Sequence, residues 1–154
     1  MKVYPPNWPN RHLLPSQEDR IGLEIVEAFD LCCEKESSYT ILQVKGTFRQ
    51  TSKAEVRPYV IRWLIALSNC IKSPVWCWAG ENNPSIQPKA HFHCVLFIPQ
   101  KVENKLVERL WPYGIMTTKE YNEKQTPFNA LEYIIGKHDL LPIQNPIKPS
   151  LKRG

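Results

Sequence analysis

Apolar and polar residues follow one another along the chain in an order that predicts both helices and strands. Apolar residues recur at helical spacing over residues 17–34, where Ser16 is placed to cap the first turn. Over residues 39–48 the pattern changes to strict alternation, which is typical of a strand. Helical spacing returns over residues 52–71, and Pro58 either kinks this helix or marks its true first turn. The core-facing residues of this helix are expected to be Val60, Ile61, Leu64, Ile65 and Ile71.

The second half of the chain predicts a hairpin followed by further elements. Two strand patterns, over residues 74–81 and 90–98, flank a polar stretch that suits an antiparallel hairpin. A short helix over 102–111, an extended piece near 114–118 and a last helix capped by Thr126 follow in that order. This order predicts an α+β fold, with an antiparallel central sheet of about 4–5 strands flanked by helices.

A single domain accounts for the whole chain. A length of 154 residues gives room for one sizeable core. We expect an irregular arm over residues 1–16 and a proline-rich, basic tail over residues 141–154, the tail being mobile. The phosphate-binding motif Gly-x-x-x-x-Gly-Lys-Ser/Thr does not occur in the sequence, so we expect no helicase domain.

Charge and hydropathy narrow the range of partners. The formal net charge of +5 favours a polyanionic partner, of which nucleic acid is the commonest. No apolar run approaches the roughly 18 residues that would indicate a membrane span, and the first residues lack the apolar segment of a secretory signal. We therefore expect a cytoplasmic protein with no membrane partner, whose five cysteines are reduced thiols.

His91 and His93 are the first residues that indicate chemistry. Side chains two apart in a strand point to the same face, so both imidazoles are expected on one side of the strand, with Phe92 and Cys94 on the other. Two imidazoles at this spacing can share one divalent cation. Glu81, at the end of the preceding strand, is our choice for the third ligand. Such a set, with open coordination positions, suits Mg²⁺ or Mn²⁺ holding a phosphate.

Two other interpretations of the histidines stay open at this point. They are equally compatible with two partly exposed strand residues that bind nothing. A structural zinc site needs four protein ligands, and Cys94 points away from the imidazoles, so only Cys77 could join them.

Tyr133 and Lys137 provide the second signal. Residues four apart stack on one face of a helix, and the apolar side of this predicted helix lies opposite them. Tyr133 is therefore expected to point outward or into a cleft. A phenol with a pKa near 10 is a poor nucleophile, but it becomes effective against a polarised phosphate beside a lysine. The alternative is a surface tyrosine next to a solvated lysine.

Together these residues resemble the HUH endonuclease superfamily, and most closely its small rolling-circle replication initiators, the Rep proteins. The similarity covers residues 39–139, about two-thirds of the chain. It implies a ferredoxin- or RRM-like HUH nuclease fold. The tyrosine and lysine are four residues apart, whereas many Rep proteins have them three apart, and no second tyrosine stands at helical spacing from the first. The motifs that carry the similarity are Glu81-Asn-Asn-Pro, His91-Phe-His93, Trp111-Pro-Tyr-Gly114 and Ala130-Leu-Glu-Tyr133-Ile-Ile-Gly-Lys137.

The resemblance implies a role for each matching residue. His91 and His93 would bind Mn²⁺ or Mg²⁺, Tyr133 would be the single nucleophile, and Lys137 would assist at the phosphate. Glu81 would complete the metal site. In several branches of the superfamily an acidic residue after the helical motif takes this place, which makes Asp139 the reserve.

The activity implied is site-specific nicking of single-stranded DNA or of a hairpin origin, with a 5′-phosphotyrosine intermediate that starts rolling-circle replication of a plasmid or virus. A host helicase and polymerase would be partners. The rivals are a single-tyrosine transposase or relaxase and, from another class, a DNA-binding module without catalysis. The basic residues expected to contact phosphates are Lys45, Arg49, Lys53, Lys148, Lys152 and Arg153.

Overall fold

Between residues 38 and 120, the described strands and helices follow the order predicted from the sequence pattern. The structure is a computed structural model that describes residues 20, 23–24, 27–28, 38–49, 55–81, 90–120 and 139–150. Its elements are β1 (Thr40–Thr47), α1 (Val56–Ile71), β2 (Trp76–Glu81), β3 (His91–Ile98), α2 (Asn104–Arg109), β4 (Met116–Glu120) and β5 (Asp139–Leu140). The predicted last helix lies outside these residues.

The five strands form one antiparallel sheet in the order β4-β1-β3-β2-β5. The first four strands, with α1 and α2 between them, give the β-α-β-β-α-β arrangement of ferredoxin-like folds. The predicted fold class, an antiparallel sheet flanked by helices, is therefore confirmed. Since β3 lies between β1 and β2, any chemistry on β3 sits in the middle of the sheet.

One face of the sheet packs against α1 and forms the main core. Val56, Val60 and Leu64 follow helical spacing and are buried, as are Trp63 and Leu67. The Trp63 indole nitrogen donates to the carbonyl of Val107 at 3.1 Å, which joins α1 to α2. The strand residues of this core are Leu42, Val44, Cys77, Ala79, Phe92, Cys94, Leu96 and Ile98.

The predicted core face of α1 was wrong at one position. Ile65 is 36 % exposed, whereas Trp63 and Leu67 take the buried positions. The helix begins at Val56, with Glu55 as its N-cap residue, so Pro58 lies in the first turn and does not kink the helix. The buried side of the helix consists of Val56, Val60, Trp63, Leu64, Leu67 and Ser68, and Ile65 lies outside it.

The opposite face of the sheet is partly covered by residues near the start of the chain. Arg20, Leu23, Glu24, Glu27 and Ala28 are helical, as predicted. Glu24 and Ala28 are buried, and a Glu24 carboxylate oxygen accepts a 2.8 Å hydrogen bond from the indole of Trp78 on β2. This contact places Glu24 over the β2 side of that face.

Residues 139–150 run along the outer edge of β2. Leu141 donates its backbone N–H to Ala79, and Ile147 pairs with Val75 through both backbone bonds. Between them, the Asn145 side chain accepts from the Cys77 N–H at 2.9 Å and donates to the Cys77 carbonyl at 3.0 Å, as a strand backbone would. Leu141 and Ile143 are buried. The expectation of a mobile tail from residue 141 is therefore wrong for residues 141–150.

Candidate functional site

The two histidines lie side by side on β3, at the end of the sheet where β1 finishes. Directly opposed residues of antiparallel strands share a face, and His91 is opposite Thr47 while His93 is opposite Lys45. The imidazole centroids are 5.2 Å apart with the rings nearly perpendicular, and both side chains are half-buried. The structure thus places both imidazoles on the face that α1 does not cover.

The strand neighbours of His93 are a lysine on the β1 side and a glycine on the β2 side. Lys45 is exposed and stands opposite His93, so it places a positive charge on the histidine face. On the β2 side His93 faces Gly80, which has no side chain, and the next residue on that face is Trp78. Trp78 is 3 % exposed, and its indole nitrogen donates a 2.8 Å hydrogen bond to Glu24, which fixes its orientation.

Glu81 is not brought to the histidine face by the strand register. It pairs with Phe92, so its side chain leaves the sheet on the face that carries the core. The sequence placed Glu81 at the right end of the hairpin, but a shift of one residue in register moves a side chain to the other face. Glu81 as the third ligand beside both imidazoles is thus a prediction that the register does not support.

Asp139, the reserve ligand, begins β5. It pairs with Glu81 across the outer edge of β2, so two strand spacings separate its backbone from that of β3. Within the part of the chain that the structure describes, no group of three His, Cys, Asp or Glu side chains is arranged to hold a metal ion. The described ligand set at this end of the sheet is therefore the imidazole pair.

The end of β1 beside His91 is held in place by several contacts. The Thr47 hydroxyl donates to the carbonyl of Ile115, and the Trp111 indole nitrogen donates to the carbonyl of Thr47. A Cβ on Gly114 would lie 2.1 Å from that same carbonyl oxygen, so only glycine fits there. Gly114 stands in the motif Trp111-Pro-Tyr-Gly114, but the sequence alone did not predict that it packs against the Thr47 carbonyl.

Among the residues predicted to contact phosphates, those that the structure describes divide into two groups. Lys45 and Arg49 are exposed and lie on β1 or just after it, at the histidine end. Lys148 follows Ile147, which pairs with Val75 at the opposite end of β2. Strand rise puts that end roughly 20 Å from His91, so Lys148 belongs to another surface. Tyr133, Lys137, Lys53, Lys152 and Arg153 lie outside the described residues.

The two described core cysteines take no part in this site. Cys77 and Cys94 lie on the core face, where Cys94 pairs with Ala79 and Cys77 with Leu96. Burial raises the pKa of the Cys94 thiol well above its ordinary value, and a hydrogen bond with Cys77 and the charge on Cys77 raise it further. The alternative zinc site, in which Cys77 would join the imidazoles, is excluded by this placement.

No protein-family model matches the chain, and no curated protein matches it. Among solved structures, the chain is similar to the crystal structure of the hypothetical protein ORF119 from Sulfolobus islandicus rod-shaped virus 1. The two share 12 % sequence identity with a TM-score of 0.47, over 73 % of this chain and 91 % of that one. No helix in the described ranges is long and apolar enough to span a lipid bilayer.

Proposed function

We propose that this protein is a metal-dependent endonuclease that nicks single-stranded DNA through Tyr133 and starts rolling-circle replication of a plasmid or virus. The observation that carries the proposal is the pair of imidazoles, 5.2 Å apart on one face of the central strand. Two imidazoles whose ring centroids lie this close together can share a divalent cation. Lys45 opposite His93 adds a positive charge where a phosphodiester would bind.

The donor set fits a cation that keeps open positions. His91 and His93 would hold Mn²⁺ or Mg²⁺. Glu81 would have to reach round the end of β2 to join them, because its backbone directs it to the core face. A cation bound there supplies Lewis-acid polarisation of the phosphodiester.

The protein's own groups then account for the reaction. The Tyr133 hydroxyl loses its proton and attacks phosphorus, forming the P–O bond of a 5′-phosphotyrosine. The bond from phosphorus to the 3′ oxygen breaks, and that oxygen takes up a proton to leave a free 3′-OH. Lys45 and Lys137 offset the negative charge on the phosphate. Attack of a 3′-OH on the phosphotyrosine reverses the steps and joins strands, so no nucleotide cofactor is needed.

The substrate of this proposal is a single strand or an extruded hairpin. The proposed chemistry needs a single sugar–phosphate backbone to reach the histidine face beside Lys45. A host helicase and polymerase would act before and after the nick. A single-tyrosine transposase or relaxase shares this chemistry and differs in joining two element ends.

A DNA-binding module without catalysis is the second candidate function. It is favoured by the absence, among the described residues, of a third metal-ligating side chain beside the imidazoles. In that case the basic residues Lys45 and Arg49 would still bind the backbone, and the histidines would only shape the surface.

A covalent-adduct assay separates the two candidates. Labelled single strands of random sequence are incubated with Mn²⁺ and analysed on denaturing gels. We expect an adduct that is lost in Tyr133→Phe. The amount of adduct should fall at least about a hundredfold in His91→Ala and His93→Ala, because mutating residues that only contact a metal's ligands already lowers activity by up to that factor. Glu81→Gln is the informative comparison, because the register predicts a far smaller loss. Wild-type protein that binds the strands but never forms an adduct would favour the binding module.

A further inference from the structure

Four aromatic rings meet at the histidine end of the sheet, on its helix-covered side. Phe48 contacts Tyr59 and Trp111, with ring centroids 5.5 and 5.3 Å apart. Tyr113 closes the circle against Tyr59 at 4.7 Å and Trp111 at 4.9 Å. All four contacts are edge-to-face, so the rings hold one another in fixed orientations.

Three of these rings form a surface. Trp111 is 4 % exposed and belongs to the core, whereas Phe48, Tyr59 and Tyr113 pack against it and are each partly exposed. Fixed aromatic faces that remain accessible are the feature on which unpaired bases stack. We call these three side chains the aromatic patch.

Positive charge lies on both sides of the aromatic patch. The Arg62 guanidinium lies 5.5 Å from the centre of the Tyr59 ring. Arg49 is exposed, and its backbone N–H donates to the carbonyl of Tyr113 at 2.9 Å. Stacking rings beside exposed guanidinium groups match the bases and the phosphates of a single strand respectively.

The aromatic patch and the imidazole pair lie at the same end of the sheet. Phe48 follows Thr47 in the chain, and Thr47 is paired with His91. Lys45 and Thr47 point to the histidine face, and Phe48 packs against the core side. A DNA strand that crosses the histidines can therefore reach Arg49 and Phe48 by passing round the end of β1.

We infer that the aromatic patch of Phe48, Tyr59 and Tyr113, flanked by Arg49 and Arg62, stacks the bases of single-stranded DNA next to the phosphate held at His91 and His93. This inference rests on the proposed function and adds a second segment to the DNA path, round the end of β1. Stacking accepts any base, so this segment holds the strand without selecting its sequence.

The test compares binding by matched aromatic variants. Anisotropy of fluorescein-labelled oligo(dT) of about 16 nucleotides is measured with EDTA present, so that metal and nicking do not contribute. We expect Tyr59→Leu and Tyr113→Leu each to weaken binding about tenfold, and Arg62→Gln a few-fold. Tyr39→Leu is the control, because Tyr39 is 41 % exposed and stacks on Phe97 at the other end of the sheet. Lys101→Gln, also beyond the end of β3, is the control for charge.

A cross-linking experiment covers the case in which a variant fails to fold. Wild-type protein is irradiated with oligo(dT) that carries 5-iodouracil, and the linked peptides are sequenced. Cross-links on Phe48, Tyr59 or Tyr113 support the inference. Cross-links confined to other residues, or equal affinities for Tyr113→Leu and Tyr39→Leu, overturn it. Neither the anisotropy nor the cross-linking readout needs a covalent adduct, so the two proposals can fail separately. If the adduct forms but the aromatic patch does not bind DNA, only this inference fails. If the aromatic patch binds DNA but no adduct forms, only the nuclease proposal fails.

Discussion

At the scale of single residues, Gly114 and Cys94 show how closely this end of the sheet is packed. A Cβ on Gly114 would overlap the carbonyl of Thr47, which is backbone and cannot turn aside. We predict that Gly114→Ala lowers the free energy of unfolding by about 1–3 kcal/mol in urea denaturation. Thr117→Ala, at an exposed position of β4, is the control. Equal stability of the two variants would show that the turn before β4 adapts freely.

Cys94 carries a second prediction at this scale. Its pKa is raised by burial, so the reactive thiolate is scarce at about pH 8. Cys70 is exposed on α1 and should react with a maleimide in the native state, while Cys94 should react only after unfolding. Mass spectrometry of the labelled peptides measures the order. Early labelling of Cys94 would mean that the core beneath His93 opens readily.

At the scale of elements, Asn145 fastens the segment after β5 to the edge of β2. Its amide bonds both backbone groups of Cys77 and also donates to Glu24 at 2.9 Å. We predict that Asn145→Ala costs about 1–3 kcal/mol of unfolding free energy, because buried polar groups lose their partners. Asn69→Ala removes a single bond, to the exposed Ser150, and should cost less. A similar loss in both variants would contradict this role for Asn145.

The elements also show what the sequence could and could not predict. Alternation in residues 39–48 predicted β1, and the burial of the strand does alternate from Leu42 to Thr47. The pairing of β2 with β3 was predicted as well, but its register was not, so the pairing of Glu81 with Phe92 could not be foreseen. The edge formed by residues 139–150 depends on an asparagine side chain acting as backbone, and a pattern of apolar spacing contains no sign of that.

At the scale of the whole molecule, we expect the net charge of +5 to attract DNA through particular basic residues. Lys45 and Arg49 lie at the histidine end, and Lys148 lies at the far end of β2. We predict that Lys45→Gln and Arg49→Gln each reduce the salt dependence of single-stranded DNA binding by about one unit of slope. Lys148→Gln should leave the slope unchanged. Equal effects of all three substitutions in anisotropy titrations would point to diffuse attraction without a defined path.

The central claim is that the imidazole pair and Tyr133 act on one phosphodiester. The most direct measurement digests the Mn²⁺-dependent DNA adduct with trypsin and nuclease and locates the modified residue by mass spectrometry. The account predicts a 5′-linked nucleotide on Tyr133 in the wild type and its loss in His91→Ala and His93→Ala. A nucleotide on another residue, or full modification of Tyr133 without either histidine, would contradict it.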